Sequence, residues 1–331
     1  MTFALVFEPG ALEQMRSFNR KLAWAPRFKI NRVMPFVIQS LLRLSQFVPD
    51  VRTMRSGVRI SRITAQADGL RVPVRVLRGI RPPRAVVLDF HGGGWAIGNA
   101  QMNDQLNAEL IAVCNVAVVS VDYRLATNTP LAAIMDDCLA AARWLLDGGL
   151  PEYDGLPVYV LGESAGGHLA AATLLQLQRW PALLRRIDGA ILYYGVYDLA
   201  GTPSVHAAGA DTLVLHGPSM AASLRLLTPG LTDDQRRAAP ASPLYGDLAG
   251  LPPAIMFAGE RDPLLDDTTL MAARWGAVAD VECHVVPEAP HGFIRFSVRI
   301  AAQVRGRVHA WINDRVQAAK TNGASDGAPP L

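Results

Sequence analysis

The sequence contains a serine in the middle of the pentapeptide Gly162-Glu163-Ser164-Ala165-Gly166. Residues 158–161 before it have the composition of a strand, and residues 165–178 are rich in Ala and Leu and long enough for a helix. A sharp turn between a strand and a helix exposes the serine hydroxyl at the carboxyl edge of a sheet. The same turn puts the amide of Ala165 at a helix N-terminus, which favours an anion. The motif predicts a nucleophilic Ser164; the alternative is a tight turn with an idle serine.

A serine hydroxyl needs a nearby base, and histidine is the usual one. His291 lies in the loop after the last predicted strand, so it can reach the edge where Ser164 stands. His168 lies one turn along the helix after the serine and cannot face the hydroxyl properly, and His284 lies within a strand pattern. We therefore predict His291 as the base, out of seven histidines: His91, His168, His206, His216, His284, His291 and His309.

The base needs an anion that fixes its tautomer and stabilises the imidazolium. Asp262 follows the strand before the histidine strand, which puts it at the same edge of the sheet. Asp266 and Asp267 are rivals, but they open the next helix, where acidic residues have an ordinary role against the helix dipole. Glu260 is a weaker rival. The pattern predicts Asp262 as the acid.

A glycine-rich stretch, His91-Gly92-Gly93-Gly94-Trp95, follows the first buried strand. Consecutive glycines are costly in conformational entropy. They are explained if the backbone must turn so that its N–H groups point at a developing oxyanion. A flexible loop or a phosphate-binding nest is the alternative. It is less favoured because no Lys or Thr follows, as a P-loop requires, and no Gly-x-Gly-x-x-Gly occurs here.

From Ala85 onward, short apolar runs alternate with helical windows. This alternation predicts a mostly parallel sheet with helices on both faces, and ligands of such sheets bind outside the carboxyl ends of the strands. Before it, the alternating residues 58–63 and 70–76 predict a pair of antiparallel edge strands. The predicted strands of the parallel part are residues 85–90, 116–121, 158–161, 190–194, 254–258 and 281–286, and the predicted helices are residues 101–113, 131–146, 165–178, 266–277 and 295–315.

Two segments do not fit this alternation. Residues 3–48 carry apolar side chains at helical spacing between prolines, which predicts two or three short amphipathic helices that cannot bury themselves alone. Between residues 194 and 254 there is no strand pattern, but helix-like stretches at 218–227 and 232–239 indicate an insertion. We expect the N-terminal segment and this insertion to form a lid together. We predict that the chain divides as follows. The catalytic core comprises residues 57–196 and 241–316, and a helical cap comprises residues 1–56 and the insertion 197–240. Residues 317–331 are predicted to form a disordered tail.

The bulk composition narrows the class of protein. Half of the 331 residues are hydrophobic, and a net charge of +3 predicts no dedicated nucleic-acid surface. The three unclustered cysteines indicate a reducing compartment rather than disulfides or a zinc site. With no apolar run of membrane-spanning length and no signal-peptide pattern, we expect a cytoplasmic protein without stable membrane insertion.

Residues 1–62 carry an excess of eight positive charges. This excess indicates a solvated helical flap or, as the less favoured interpretation, attraction to an anionic surface or substrate.

Several motifs, taken together and in order, resemble the hormone-sensitive-lipase-like group (bacterial family IV) of carboxylesterases in the α/β-hydrolase superfamily. The resemblance implies an α/β-hydrolase fold with a helical cap, in which the chain order is serine, then acid, then histidine. The matching residues are His91-Gly92-Gly93-Gly94-Trp95, Asp122-Tyr123-Arg124-Leu125-Ala126, Gly162-Glu163-Ser164-Ala165-Gly166-Gly167, Leu251-Pro252-Pro253, Asp262-Pro263-Leu264-Leu265-Asp266 and His291-Gly292-Phe293.

The resemblance also implies a role for each matching residue. No metal or cofactor is expected, and the implied substrate is a short- to medium-chain carboxylic ester. The implied roles are catalytic for Ser164, Asp262 and His291, oxyanion binding for the amides of Gly93, Gly94 and Ala165, and lining of the substrate pocket for Gly92 and Trp95.

The chain departs from the family pattern at one position and in one short stretch. Glu163 stands where Asp is more common, which keeps the charge, and residues 127–130 read Thr-Asn-Thr-Pro instead of Pro-Glu-His-Pro.

The predicted reaction is hydrolysis of a small-molecule ester. The alternatives are acyl transfer by the same triad, a non-catalytic binding protein on a hydrolase shell, and lipase action at a membrane surface. A homodimer is a further expectation, since members of the family often dimerise.

Overall fold

The computed structural model describes residues 5–28, 34–46 and 57–325. Within these residues, eight strands form one sheet. They are β1 (Arg59–Ala67), β2 (Leu70–Arg78), β3 (Val86–Phe90), β4 (Ala117–Val121), β5 (Val158–Glu163), β6 (Ile187–Tyr193), β7 (Ala254–Gly259) and β8 (Val281–Val286). Their order is β1-β2-β4-β3-β5-β6-β7-β8. The β1–β2 and β2–β4 pairs are antiparallel and the other neighbouring pairs are parallel, so the predicted mostly parallel sheet with an antiparallel edge is confirmed.

Helices cover both faces of the sheet. They are α1 (Pro9–Leu22), α2 (Met34–Ser45), α3 (Asp104–Cys114), α4 (Leu131–Leu146), α5 (Ala165–Leu177), α6 (Pro181–Leu184), α7 (Pro203–Ala207), α8 (Met220–Leu227), α9 (Asp233–Arg236), α10 (Leu265–Gly276) and α11 (Arg299–Ser325). Leu88 packs in a buried apolar cluster with α4 and α5, whereas its neighbour Val87 packs in a second cluster with α3 and α11. Successive residues of a strand point to opposite faces, so each face has its own core. Among the described residues, no helix combines the length and the apolar character that crossing a membrane requires.

The inner strands bring the ends of distant segments to one edge. β3, β4, β5 and β7 are buried along their whole length. Strands covered on both faces read as continuous apolar runs, which is why the sequence shows them clearly. Because β3 to β8 run parallel, the loops that follow β3, β5, β7 and β8 meet at the carboxyl edge of the sheet.

The two described helices of the N-terminal segment contact different parts of the molecule. Ala11 and Met15 of α1 are buried in the same cluster as Ile300 and Val304 of α11. The prediction that all of residues 1–56 belong to the cap is therefore wrong for α1, because its apolar face packs on the final helix of the core. By contrast, α2 lies beside the loop after β3, where Gln39 and Gly98 exchange two hydrogen bonds. Residues 1–4, 29–33 and 47–56 lie outside the described residues.

The predicted cap insertion and tail need two further corrections. The helix expected over 232–239 is only the single turn α9, which Thr232 caps by accepting from the amide of Gln235. The predicted tail is wrong for residues 317–325, because α11 continues to Ser325. Val316 is buried, and the Ala-rich residues that follow it favour continuation of the helix. Residues 326–331 lie outside the described residues.

Candidate active site

Ser164 lies in the sharp turn between β5 and α5. Its φ of 54° and ψ of −120° form a strained conformation that non-glycine residues rarely adopt. The turn is possible because its neighbours are small. A Cβ atom on Gly166 would lie 1.9 Å from the carbonyl oxygen of Phe90, and one on Gly162 would lie 2.3 Å from the carbonyl oxygen of Gly166. The glycines of the motif therefore let α5 approach the sheet closely and hold the serine hydroxyl at its edge.

The structure brings the three predicted catalytic side chains together. The Nε2 atom of His291 is 2.9 Å from the Oγ atom of Ser164, and its Nδ1 atom is 2.8 Å from the Oδ2 atom of Asp262. His291 follows β8 and Asp262 follows β7, as the strand pattern predicts. A carboxylate only accepts hydrogen bonds, so Nδ1 carries the proton and the lone pair of Nε2 faces the serine hydroxyl. This arrangement can remove the proton of Ser164 as the hydroxyl attacks.

The rival carboxylates point elsewhere. Asp267 accepts from the amides of Tyr197 and Asp198, and Asp266 accepts from the amide of Ser204. Both hold the start of the insertion against α10. Glu260 accepts from the amide of Glu288. Asp262 is thus the acid on this edge that contacts His291.

Two of the other histidines lie close to the site in structural positions. Nε1 of Trp95 donates to Nδ1 of His168, so Nε2 of His168 carries its proton and donates to the carbonyl oxygen of Ala241. Burial lowers the pKa of His168 to about 4. His91 stacks on the ring of Tyr123, with centroids 4.1 Å apart, and burial lowers its pKa to about 4. Both imidazoles are therefore neutral at pH 7.

The loop after β3 turns back on itself at the predicted glycines. Gly93 and Gly94 have φ values of 109° and 59°, which favour glycine. The amides of Ala96 and Ile97 donate to the carbonyl oxygen of Gly93, at 3.2 and 3.1 Å. A Cβ atom on Gly93 would lie 2.2 Å from the carbonyl oxygen of Ile97. Gly93 and Gly94 line the same cavity as Ser164, while Ala165 is buried at the first position of α5.

An apolar cavity of about 280 Å³ opens over Ser164 and His291. Gly92 and Trp95 are among the residues that line it. Much of the remaining wall comes from the N-terminal segment and the insertion, through Phe28, Val214, Leu215, Met220 and Leu224. A short parallel bridge joins Phe28 to Leu215. The sequence did not allow us to predict these side chains as part of the cavity wall, because the insertion has no periodic pattern that marks its inner face.

Similarity to known proteins identifies the family. A family model described as an alpha/beta hydrolase fold matches residues 87–295. The carboxylesterase NlhH of Mycobacterium tuberculosis is 34% identical over 268 residues, which cover 76% of this chain and 81% of NlhH. The ethyl acetate hydrolase of Pseudomonas putida is 32% identical over 261 residues, which cover 73% of this chain and 77% of that enzyme. The chain belongs to the hormone-sensitive-lipase-like esterases of the α/β-hydrolase superfamily.

Solved structures agree with this family. The esterase LipW of Mycobacterium marinum superposes with a TM-score of 0.80 and 26% identity, and the match covers 93% of this chain and 98% of LipW. An esterase described as a member of the bacterial hormone-sensitive lipase family superposes with a TM-score of 0.75 and 25% identity, over 94% of this chain and 100% of that one.

In this member of the hormone-sensitive-lipase-like family, Glu163 beside the nucleophile pairs with Arg295. The hydroxyl of Tyr194 donates to the same carboxylate at 3.0 Å, and the ring of Tyr194 lies 4.8 Å from that of His291. Burial raises the pKa of Glu163, but the charge of Arg295 and the hydrogen bonds from Arg295, Tyr194 and the amide of Gly92 together outweigh burial and hold that pKa below its ordinary value. The pair joins the residue before Ser164 to the loop after His291. Neither Arg295 nor Tyr194 was predicted from the sequence, although Tyr194 directly follows β6 at the carboxyl edge.

Proposed function

We propose that this chain is a serine carboxylesterase that works through Ser164, His291 and Asp262. The observation that carries the proposal is the continuous set of contacts from Asp262 through His291 to Ser164, at the floor of an apolar cavity. The names of the carboxylesterase and the ethyl acetate hydrolase among its relatives support ester hydrolysis. Acyl transfer would use the same three residues, but neither relative carries such a name.

In the proposed mechanism, the Oγ atom of Ser164 attacks the carbonyl carbon of the ester while Nε2 of His291 takes the hydroxyl proton. The negative charge on the carbonyl oxygen is stabilised by the amides of Gly93, Gly94 and Ala165. His291 then donates the proton to the departing alcohol, which leaves an acyl group on Ser164. Water attacks this acyl-enzyme through the same base. Asp262 keeps the proton on Nδ1 and stabilises the imidazolium.

The cavity supports an uncharged substrate with a short or medium acyl chain. Its wall is largely aliphatic and aromatic, so each methylene group that it buries contributes about 0.8 kcal/mol to binding. A volume of about 280 Å³ matches a small ester better than a long lipid chain. We infer that the N-terminal segment, through Phe28, and residues 197–240 together cap the site and set this limit.

The test replaces Ser164 with Ala and follows hydrolysis of p-nitrophenyl acetate, butyrate and palmitate. We expect kcat/KM for the butyrate to fall about 10⁴-fold or more, because the nucleophile is lost. The control Ser297→Ala changes an exposed serine outside the site and should keep wild-type activity. Undiminished turnover by Ser164→Ala would contradict the mechanism, and a wild-type preference for palmitate would contradict the proposed substrate class.

A further inference from the structure

The loop that supplies two of the proposed oxyanion donors is held from outside by a glutamine of α2. We propose that Gln39 is a positioning residue that fixes residues 91–98, here called the oxyanion loop, in the conformation needed for catalysis. The inference rests on the proposed function, since it requires Gly93 and Gly94 to bind the oxyanion. Gln39 itself lies outside the residues that line the cavity in the described structure, so it acts through the loop.

Gln39 pairs with both backbone groups of a single residue. Its Oε1 atom accepts from the amide of Gly98 at 2.8 Å, and its Nε2 atom donates to the carbonyl oxygen of Gly98 at 3.0 Å. The side-chain amide thus contacts Gly98 as a neighbouring strand would. Two hydrogen bonds from one rigid amide group fix orientation as well as distance.

Gly98 is tightly coupled to the rest of the oxyanion loop. Its φ is 109°, and a Cβ atom there would lie 2.5 Å from Nδ1 of His91, so the backbone rests on that ring. The preceding residue, Ile97, donates its amide to the carbonyl oxygen of Gly93. The carbonyl oxygen of Ile97 in turn packs against the Cα atom of Gly93. A shift of Gly98 would therefore be passed to Gly93 and its neighbour Gly94.

The face of α2 that carries Gln39 is turned toward the oxyanion loop. Val37, Leu41 and Leu44 lie on one helical face and are 49%, 62% and 66% exposed. Gln39 lies on the opposite face, and the chain leaves the helix on that side at Gln46, whose side-chain amide pairs with that of Asn99 at 3.1 and 2.6 Å. Gln39 and Gln46 on this face therefore hold the loop under the helix through specific hydrogen bonds.

The main experiment replaces Gln39 with Met, which keeps the side-chain length and removes both hydrogen bonds. We expect kcat for p-nitrophenyl butyrate to fall about 10- to 100-fold while KM changes little, since a displaced oxyanion loop weakens the transition state more than the bound ester. Phenylboronic acid, which forms a tetrahedral anion on Ser164, should bind more weakly by a similar factor. Gln39→Glu keeps the acceptor but sets an oxygen against the carbonyl of Gly98, and it should lower kcat as well.

The matched control is Gln46→Met, which removes a comparable pair of hydrogen bonds from the residue directly after α2 but touches no backbone group of the oxyanion loop. We expect it to keep the wild-type kcat and boronic-acid affinity. An unchanged kcat in Gln39→Met, or an equal loss in Gln46→Met, would overturn the positioning role. If the wild type hydrolyses esters and Ser164→Ala does not, either result refutes this inference alone; if Ser164→Ala stays active, the proposed function fails instead.

Discussion

His291 has a different partner on each ring nitrogen, and this division determines its chemistry. The contact of Nδ1 with Asp262 is 2.8 Å long and buried, so the carboxylate fixes the tautomer. Nε2 is left to face Ser164 at 2.9 Å. Without the carboxylate, the other tautomer would place a proton between the base and the hydroxyl, and proton transfer in the proposed mechanism would stop.

The substitution Asp262→Asn tests this assignment. We expect kcat to fall about 10³- to 10⁴-fold, because an amide that donates to Nδ1 favours the wrong tautomer of His291. The measurement is steady-state hydrolysis of p-nitrophenyl butyrate. The control is Glu260→Gln at the same edge, whose carboxylate contacts the amide of Glu288 instead; it should retain activity close to the wild type. Comparable losses in both variants would contradict the role of Asp262.

At the residue scale, the site residues that directly follow a strand could be predicted from the sequence. Ser164, Asp262 and His291 each follow an apolar run, so the topology alone predicts that they meet at one edge. Arg295 could not be found in this way. It reaches Glu163 across 132 positions of the chain from a short turn, and no periodic pattern connects the two residues.

At the scale of elements, Asp267 joins the insertion to the core. Its Oδ1 atom accepts from the amides of Tyr197 and Asp198, and its Oδ2 atom accepts from the hydroxyl of Thr202. The first residues of the insertion are thus bound to the first turn of α10. Burial raises the pKa of this carboxyl to about 7.

This raised pKa predicts a pH-dependent effect of Asp267→Asn. Between pH 4 and pH 7 the folded protein holds a proton on Asp267 that the unfolded chain has released, so ionisation lowers the stability of the wild type as the pH rises. The asparagine side chain of the variant does not ionise, so the stability of the variant does not fall for this reason. We therefore expect its unfolding free energy, relative to the wild type, to rise by about 2 kcal/mol from pH 5 to pH 8. Urea unfolding at both pH values measures the difference, and a difference that stays constant would contradict the buried-carboxyl account.

The long regular elements could be predicted from the sequence, and the short ones could not. The inner strands are buried on both faces and therefore appear as continuous apolar runs, and α4 buries one broad face and therefore shows a clear helical period of apolar residues. The insertion contains α7 and α9, which are only one or two turns long and depend on contacts such as those of Asp267. Local sequence carries little information about such contacts.

At the scale of the whole molecule, α1 is part of the core. Met15 is fully buried beside α11, and Asn19 donates to the carbonyl oxygen of Glu288 at 2.7 Å. Glu288 lies three residues before His291 in the same loop. The N-terminal helix therefore supports the segment that carries the proposed base, rather than only covering the substrate.

The substitution Met15→Ala tests this position of α1. We expect it to lower the global unfolding free energy by about 2–5 kcal/mol, because it leaves a cavity in the packed core. Chemical denaturation measures the loss. Trp24→Ala, just beyond the same helix, removes a side chain that is 92% exposed and should leave stability nearly unchanged. If Met15→Ala were as stable as the wild type, α1 would not be a structural part of the core.

The central claim is that Ser164 is the nucleophile and that His291 activates it. Reaction of the wild type with a fluorophosphonate, followed by peptide mass mapping, tests this claim most directly. We expect one adduct on the peptide that contains Ser164, and a much slower reaction in His291→Ala, because the hydroxyl then lacks its base. An adduct on another residue, or no adduct on an enzyme that still hydrolyses esters, would contradict the account.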